Sequence, residues 1–298
     1  MIIETRDLSK QYGRVSVLND INLRVPEGSA FALVGTNGAG KTTTMRILVN
    51  MIRPSAGSAV VLGTDTRALT PKLFERIGYV AENQLLPERL TVAQYFDYLR
   101  ALYPSWDPGL EASLRKQFEL PPKRPLSKLS HGMRMKTVLV AGISFRPKLL
   151  ILDEPLTGMD TLTRDEVVDG LLQQADETTI LISSHELAEI ENFTSHIAFM
   201  DKGSLLFQES VDSLRSRFRE VQVTLSARKE LSDNRPAGWL SPEISGHLLR
   251  FVDSKFESSE RLERDLCDLF GAVQFDTEAM SLRAISNALI RSSRSTSP

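Results

Sequence analysis

The sequence is short of cysteine, of net charge and of long apolar runs, and each shortage excludes something. One cysteine, Cys267, leaves no intrachain disulfide and no cysteine-rich zinc site, which suits a reducing cytosol. No run of about eighteen apolar residues occurs, so the chain is not expected to span a membrane by itself. The opening residues, Met1 to Arg6, lack the charged-then-apolar order of a secretory signal. Lys and Arg number 36 against 38 Asp and Glu, a net charge of -2 over 298 residues, which argues against a nucleic-acid binder working through a broad basic face. Hydrophobic content of 41% and charged content of 25% are ordinary for a globular chain with a full core. The length suits one large domain plus a small one.

One stretch organises the rest. The apolar run Ala30-Phe31-Ala32-Leu33-Val34 leads into Gly35-Thr36-Asn37-Gly38-Ala39-Gly40-Lys41-Thr42, and an amphipathic segment, Thr43 to Met51, follows. Strand, glycine-rich turn and helix start thus come in the order a phosphate-binding loop needs. Glycines let successive backbone N–H groups turn inward without Cβ clashes, and the helix start adds about half a positive charge. Gly35, Asn37, Gly38, Ala39, Gly40, Lys41, Thr42 and Thr43 are the candidate phosphate contacts. Lys41 is expected to reach the β- and γ-phosphates of a nucleotide, and the Thr42 hydroxyl to take one Mg2+ position.

The flanking chain reads as α/β. Short strands are expected at Ile2–Thr5, Val15–Leu18 and Ile21–Val25, then at Ser58–Leu62 and Ile77–Val80. Tyr12 lies upstream of the phosphate loop, where its ring either stacks on an adenine face or packs at a strand end. Thr70-Pro71 reads as a helix start. Thr91-Val92-Ala93-Gln94 is a capping box opening a helix to about Tyr103, with a second helical pattern over Pro108–Leu120. This helical insert spans about residues 86 to 147, and its Tyr95, Phe96 and Leu99 are expected to face a core.

The α/β pattern resumes at Leu149-Leu150-Ile151-Leu152-Asp153-Glu154, an apolar run ending in two acids, as in a buried parallel strand at its ligand-facing end. Thr163-x-x-Glu166 is expected to cap the next helix, Thr178–Ile182 to form a strand ending at Ser183-Ser184-His185, and Ile197–Met200 with Leu205–Phe207 to form a hairpin. Phosphoryl transfer to water needs charge neutralisation, an in-line water and a base. Asp153 is placed to hold Mg2+, and Glu154 to orient and deprotonate the attacking water.

Residues 1–215 are expected to form the large domain and 216–298 a small α/β appendage. In the appendage Val221–Leu225 and His247–Val252 alternate like strands. Leu262, Leu266 and Phe270 mark one helical face, and a strand at Ala272–Phe275 precedes a helix carrying Leu282, Ile285 and Leu289. The tail from Arg291 has nothing to bury and is expected to be disordered. No chemical motif stands out in this part.

Over roughly residues 1–210 the ordered set resembles the nucleotide-binding subunits of ATP-binding cassette (ABC) transporters. It comprises the phosphate loop, the segment after Val80, Leu129-Ser130-His131-Gly132-Met133-Arg134, Asp153-Glu154, Thr157-Gly158-Met159-Asp160 and His185. The resemblance implies a P-loop NTPase core with an antiparallel β-subdomain and a helical insert, binding ATP and Mg2+. It implies that Tyr12 stacks on adenine, that Ser130 and Gly132 of the signature contact phosphate, that Asp160 is the D-loop aspartate and that His185 touches the γ-phosphate. The family signature reads LSGGQ; here His131 and Met133 replace its third and fifth residues. The glutamine-loop position aligns with Glu82, whose carboxylate is a possible ligand for Mg2+ or its water, with Gln84 the shifted alternative.

Glu82, the Leu-Ser-x-Gly-Met-Arg signature and Tyr103-Pro104-Ser105-Trp106-Asp107 look like an exporter branch, in which the ATPase pairs with separate six-helix integral membrane permeases. One phosphate loop and one signature per chain imply a head-to-tail homodimer, because each ATP in the family lies between the loop of one subunit and the signature of another. The expected location is cytoplasmic, peripheral on the inner face of the cell membrane, with no nucleic-acid partner. A soluble ABC-type ATPase with a ribosome-associated, DNA-associated or regulatory role is the alternative.

Overall fold

Strand ladders assemble the amino-terminal part first. In the computed structural model, which describes residues 1–173, 177–187, 190–226, 235–271 and 274–295, β1 (Ile3–Tyr12), β2 (Val15–Ile21) and β3 (Arg24–Val25) form before the phosphate loop. β1 runs on well past Thr5, where sequence patterning ended it. Its polar second half pairs antiparallel with β2, so a partner rather than apolar alternation extends the strand. The buried β4 (Ala30–Gly35) and α1 (Lys41–Leu48) flank the loop itself. Next come β5 (Ala56–Val61), β6 (Thr64–Asp65), the short α2 (Pro71–Phe74) and β7 (Ile77–Ala81). β1, β2, β3, β5 and β6 make a five-stranded antiparallel sheet.

The helical insert holds α3 (Val92–Leu102), α4 (Pro108–Gln117) and α5 (His131–Ile143). Thr91 caps α3 through the expected capping box, its Oγ1 accepting from the Gln94 N–H while the Gln94 side chain accepts from the Thr91 N–H. Tyr95 and Phe96 are buried, as expected, and Leu99 is half-buried. Glu111 is the insert's polar anchor. It is only 2% exposed, and its carboxylate accepts from Arg100 at 2.5 Å, from Trp106 Nε1 at 3.0 Å and from Arg115 at 3.1 Å. Three donors on one buried carboxylate lose their charged acceptor together. Glu111→Gln is therefore expected to lower unfolding stability by about 2 kcal/mol, read from urea denaturation of the full chain.

The core closes with β8 (Leu149–Asp153), α6 (Thr161–Leu172), β9 (Thr179–Ser184), β10 (His196–Asp201) and β11 (Ser204–Ser210). The expected cap at Thr163 is corrected: α6 starts two residues earlier, and Asp160 is the residue whose side chain accepts from the Thr163 N–H. Asp160 lies three residues upstream, so its carboxylate caps the N–H of Thr163 and the threonine falls inside the first turn, where its hydroxyl donates to Asp160 as well. The strands order as β11-β10-β4-β9-β8-β7, and the five from β10 to β7 pair in parallel. β4, β8 and β9 are buried along their whole length, the pattern of a sheet covered on both faces.

The chain divides into two compact units, Met1–Gln208 and Glu209–Pro298. The second holds α7 (Val211–Arg217), β12 (Arg219–Thr224), β13 (Trp239–Ser245), β14 (Leu248–Asp253), α8 (Ser259–Phe270), β15 (Gln274–Ala279) and α9 (Leu282–Ser295). Its antiparallel sheet orders as β13-β14-β12-β15. Sequence patterning missed β13 because Ser241-Pro242 interrupts it, with Ser241 at φ 47° and a register shift after Leu240. As an edge strand it tolerates the proline. Leu262, Leu266 and Phe270 are buried on one face of α8, as expected. α9 continues to Ser295, through part of the tail expected to be disordered; residues 296–298, like Ala272 and Val273 of the expected strand, lie outside the described residues.

Candidate active site

The parallel sheet brings its carboxyl ends to one edge, and the acidic pair and the loop meet there. Between β4 and α1 the backbone turns with Gly38 at φ 82° and Gly40 at φ 103°. A Cβ on Gly40 would lie 2.5 Å from Leu18 Cδ2, so both conformation and space require glycine. No atom lies within 4 Å of a Cβ position on Gly38, which leaves the loop open on that side. α1 has no side-chain cap, and its first-turn N–H groups have no intrahelical acceptor. An uncapped helix start beside an open glycine turn fits a phosphate chain.

Lys41 is buried, 4% exposed, and its ammonium donates to the Gly35 carbonyl at 2.7 Å and the Thr36 carbonyl at 3.3 Å. It also pairs with Glu154 Oε1 at 3.1 Å. The other carboxylate oxygen, Oε2, accepts from Thr157 Oγ1 at 3.1 Å and lies 2.8 Å from His185 Nδ1. Burial pushes the Glu154 carboxyl up, but the His185 bond and the Lys41 charge outweigh it and hold the group below the ordinary glutamate value. Glu154 also sits at φ 51°, a left-handed backbone that a non-glycine residue adopts only when its surroundings impose it.

Asp153, the last residue of β8, is buried. Its Oδ1 accepts from Thr42 Oγ1 at 3.0 Å and from Ser183 Oγ at 2.9 Å, and Ser183 Oγ in turn accepts from the Glu154 N–H at 2.9 Å. Tyr79 lies close to Asp153 and Arg46; burial first, then the Asp153 charge, pushes its phenol above the ordinary value. Among the described residues no ion pair reaches Asp153. A buried carboxylate held by hydroxyls is a suitable ligand for a hard cation. No group of three or more His, Cys, Asp or Glu side chains is placed for a metal among the described residues. Mg2+ fits here on Thr42 and Asp153, its remaining positions falling to phosphate oxygens and water.

The other expected residues occupy separate places. Glu82 is half-buried, and its N–H donates to the Asp153 carbonyl at 3.0 Å, one step beyond β7. Gln84 is turned back on its own loop, its side-chain oxygen accepting from the Ala81 N–H at 3.4 Å. Ser130 caps α5 by accepting from the Met133 N–H at 3.3 Å. Asp160 accepts from both the N–H and the hydroxyl of Thr163, and these bonds hold its carboxyl below the ordinary aspartate value. Gly132 packs on α6, where a Cβ would come within 2.9 Å of Thr163 Cγ2. Tyr12 is 50% exposed with Lys10 Nζ 4.9 Å from its ring centroid, so it is not a core packing residue.

Direct bonds therefore gather Gly35, Lys41, Thr42, Asp153, Glu154 and His185. Ser130, Gly132 and Asp160 form a second group at two helix starts, and Tyr12 stands apart at the end of β1. Sequence reasoning missed Ser183 and Thr157 as members of the first group. Ser183 carried a faint signal: it is a hydroxyl closing an apolar strand in register with the acidic one.

A phosphate loop after a parallel strand, facing an acidic pair at the end of another, defines a P-loop nucleoside triphosphatase. Residues 18–157 match the family model described as ABC transporter. The chain is 32% identical over 233 residues to the ABC transporter ATP-binding protein YtrB of Bacillus subtilis (strain 168), covering 78% of this chain and 80% of the relative. It is 35% identical over 223 residues to the bacitracin transport ATP-binding protein BcrA of Enterococcus faecalis, covering 74% and 72%. A solved structure described as the ATP binding subunit of an ABC transporter superimposes with a TM-score of 0.66 at 26% identity, over 72% of this chain and 92% of that one. The chain belongs to the ATP-binding subunits of ABC transporters, which bind and hydrolyse ATP and work with membrane permeases. The relatives carry transport names, which supports the transport subunit over the ribosome-associated, DNA-associated or regulatory alternative. Among the described residues no helix is long and apolar enough to cross a membrane.

Proposed function

We propose that two copies of this chain, docked on the inner face of the cell membrane beneath a separate permease, power export by closing head-to-tail on two ATP molecules. The carrying observation is the cluster in which Lys41, His185 and Thr157 all converge on the Glu154 carboxylate beside the Thr42–Asp153 pair. Glu154 is the general base and His185 the residue that holds it and meets the γ-phosphate. Tyr12 offers its exposed ring to adenine, and Ser130 and Gly132 face the nucleotide of the second copy. Asp160 orders the start of α6 at that boundary.

Lys41 cannot hold a phosphate and fully neutralise Glu154 at once. When triphosphate takes the ammonium, Glu154 loses one of the two charges that depress its pKa and becomes a better base, so substrate binding itself arms the site. Mg2+, held by Thr42 and Asp153, supplies charge neutralisation along the phosphates. Steady-state phosphate release by the purified chain with MgATP tests the reading, together with light scattering for an ATP-dependent dimer. No release and no dimer, even with the permease present, would remove it.

One surface fits the permease contact. A groove of 590 Å3 is lined by Met51, Phe74, Tyr79, Gln84 and Tyr103 among others, with Met51 59% and Phe74 37% exposed. Exposed apolar side chains around such a groove suit an apolar partner segment. Export is carried by the likeness to the transport ATPases named above. Glu82 is read as a ligand of Mg2+ or of its water through one carboxylate oxygen, which an amide oxygen also supplies. Glu82→Gln is accordingly expected to keep kcat within about threefold of the unmodified chain, and loss of all turnover would show that the charge itself is needed.

A further inference from the structure

His131 stands where the family signature has a glycine, and its ring is already engaged. Nε2 lies 2.9 Å from the Thr157 carbonyl oxygen, which can only accept, so Nε2 carries the proton. Thr157 is itself bonded twice to Glu154: its hydroxyl donates to Oε2 at 3.1 Å, and its N–H donates to the Glu154 carbonyl at 3.4 Å. Gly158, at φ 72°, leaves ring atoms of His131 3.7 Å from its Cβ position, so the imidazole lies against this turn. Two further ties bind the same helices: Gly132 packs against Thr163, and Lys136 pairs with Glu166.

We infer that His131 is a positioning residue, whose Nε2–H clasps the Thr157 carbonyl and thereby fixes the aim of Glu154 in the same chain. The inference rests on the reading of Glu154 as the general base. Its consequence is specific. The signature helix of one copy serves the nucleotide held by the other, and the clasp connects that helix start to the copy's own base. A movement of α5 on meeting a triphosphate is then transmitted through two hydrogen bonds to Glu154. A glycine at this position has no side chain with which to make the link.

Three variants of the full chain test it. His131→Phe keeps a ring without the donor, His131→Gln keeps a donor at similar reach, and Thr157→Ala removes the second bond. In nucleotide-free protein, hydrogen exchange at the Thr157 to Met159 amides is expected to quicken roughly fivefold in His131→Phe and less than about twofold in His131→Gln. In turnover, His131→Phe is expected to lose roughly five- to tenfold in kcat with KM for ATP within about twofold, and His131→Gln to restore kcat. Adding His131→Phe to Thr157→Ala is expected to cost little more than Thr157→Ala alone. A raised KM with unchanged kcat would mean that the ring touches nucleotide instead. Unchanged exchange, equal damage in both His131 variants, or additive losses would also overturn the clasp. Failure of the underlying reading shows separately, as full turnover in Glu154→Gln.

Discussion

Glu154→Gln is expected to lower ATP turnover by roughly 10²- to 10³-fold while leaving ATP affinity within about threefold. The amide keeps the size of the side chain and an oxygen that can still accept from Lys41 or Thr157, so the cradle around Lys41 and Thr42 persists. What disappears is the ability to take a proton from water, and with it the charge that His185 and Lys41 both face. Binding and turnover therefore separate. The ATP-loaded form accumulates, and under the proposed assembly it is seen as a stable dimer by size-exclusion chromatography with light scattering. Phosphate release at a third or more of the unmodified rate would show that Glu154 is not the base. The depressed pKa adds a check on sign: the carboxylate stays ionised to lower pH than an ordinary glutamate, so in the nucleotide-free form its bonds to Lys41 and His185 weaken only as pH falls through that lowered value.

Lys41→Ala acts one step earlier and is expected to weaken ATP binding roughly a hundredfold, since a charge-assisted bond to phosphate is among the stronger single contacts a site can offer. The substitution also frees the Gly35 and Thr36 carbonyls and leaves Glu154 with His185 and Thr157 alone. Titration with a fluorescent ATP analogue reads the affinity directly. Affinity within threefold of the unmodified chain would mean that the backbone N–H groups of the loop and helix start hold the phosphates without the ammonium.

Much of this site was legible in the sequence because its chemistry is carried by contiguous residues. The loop from Gly35 to Thr42 and the pair Asp153-Glu154 each lie within a few positions of a buried apolar strand, and such strands announce themselves by composition. Contacts made across the sheet were not legible. Ser183 reaches Asp153 only because β9 pairs beside β8 in a particular register, and Tyr79 comes near enough to feel its charge only because β7 pairs on the other side. The fold shows the same division. The capping box at Thr91 is a local signal and gave the right helix, whereas α6 is capped by Asp160, three residues before the Thr163 that a similar spacing singled out. β13 escaped notice for the opposite reason, its strand character coming from pairing with β14 across a proline.

The Ser183 hydroxyl has one hydrogen, and the geometry commits it. Because the oxygen receives the N–H of Glu154, the hydrogen points to Asp153, and the wiring between the two acidic residues runs in one direction only. The side chain of Asp153 and the backbone of Glu154 thus hang on one hydroxyl, which ties their positions together.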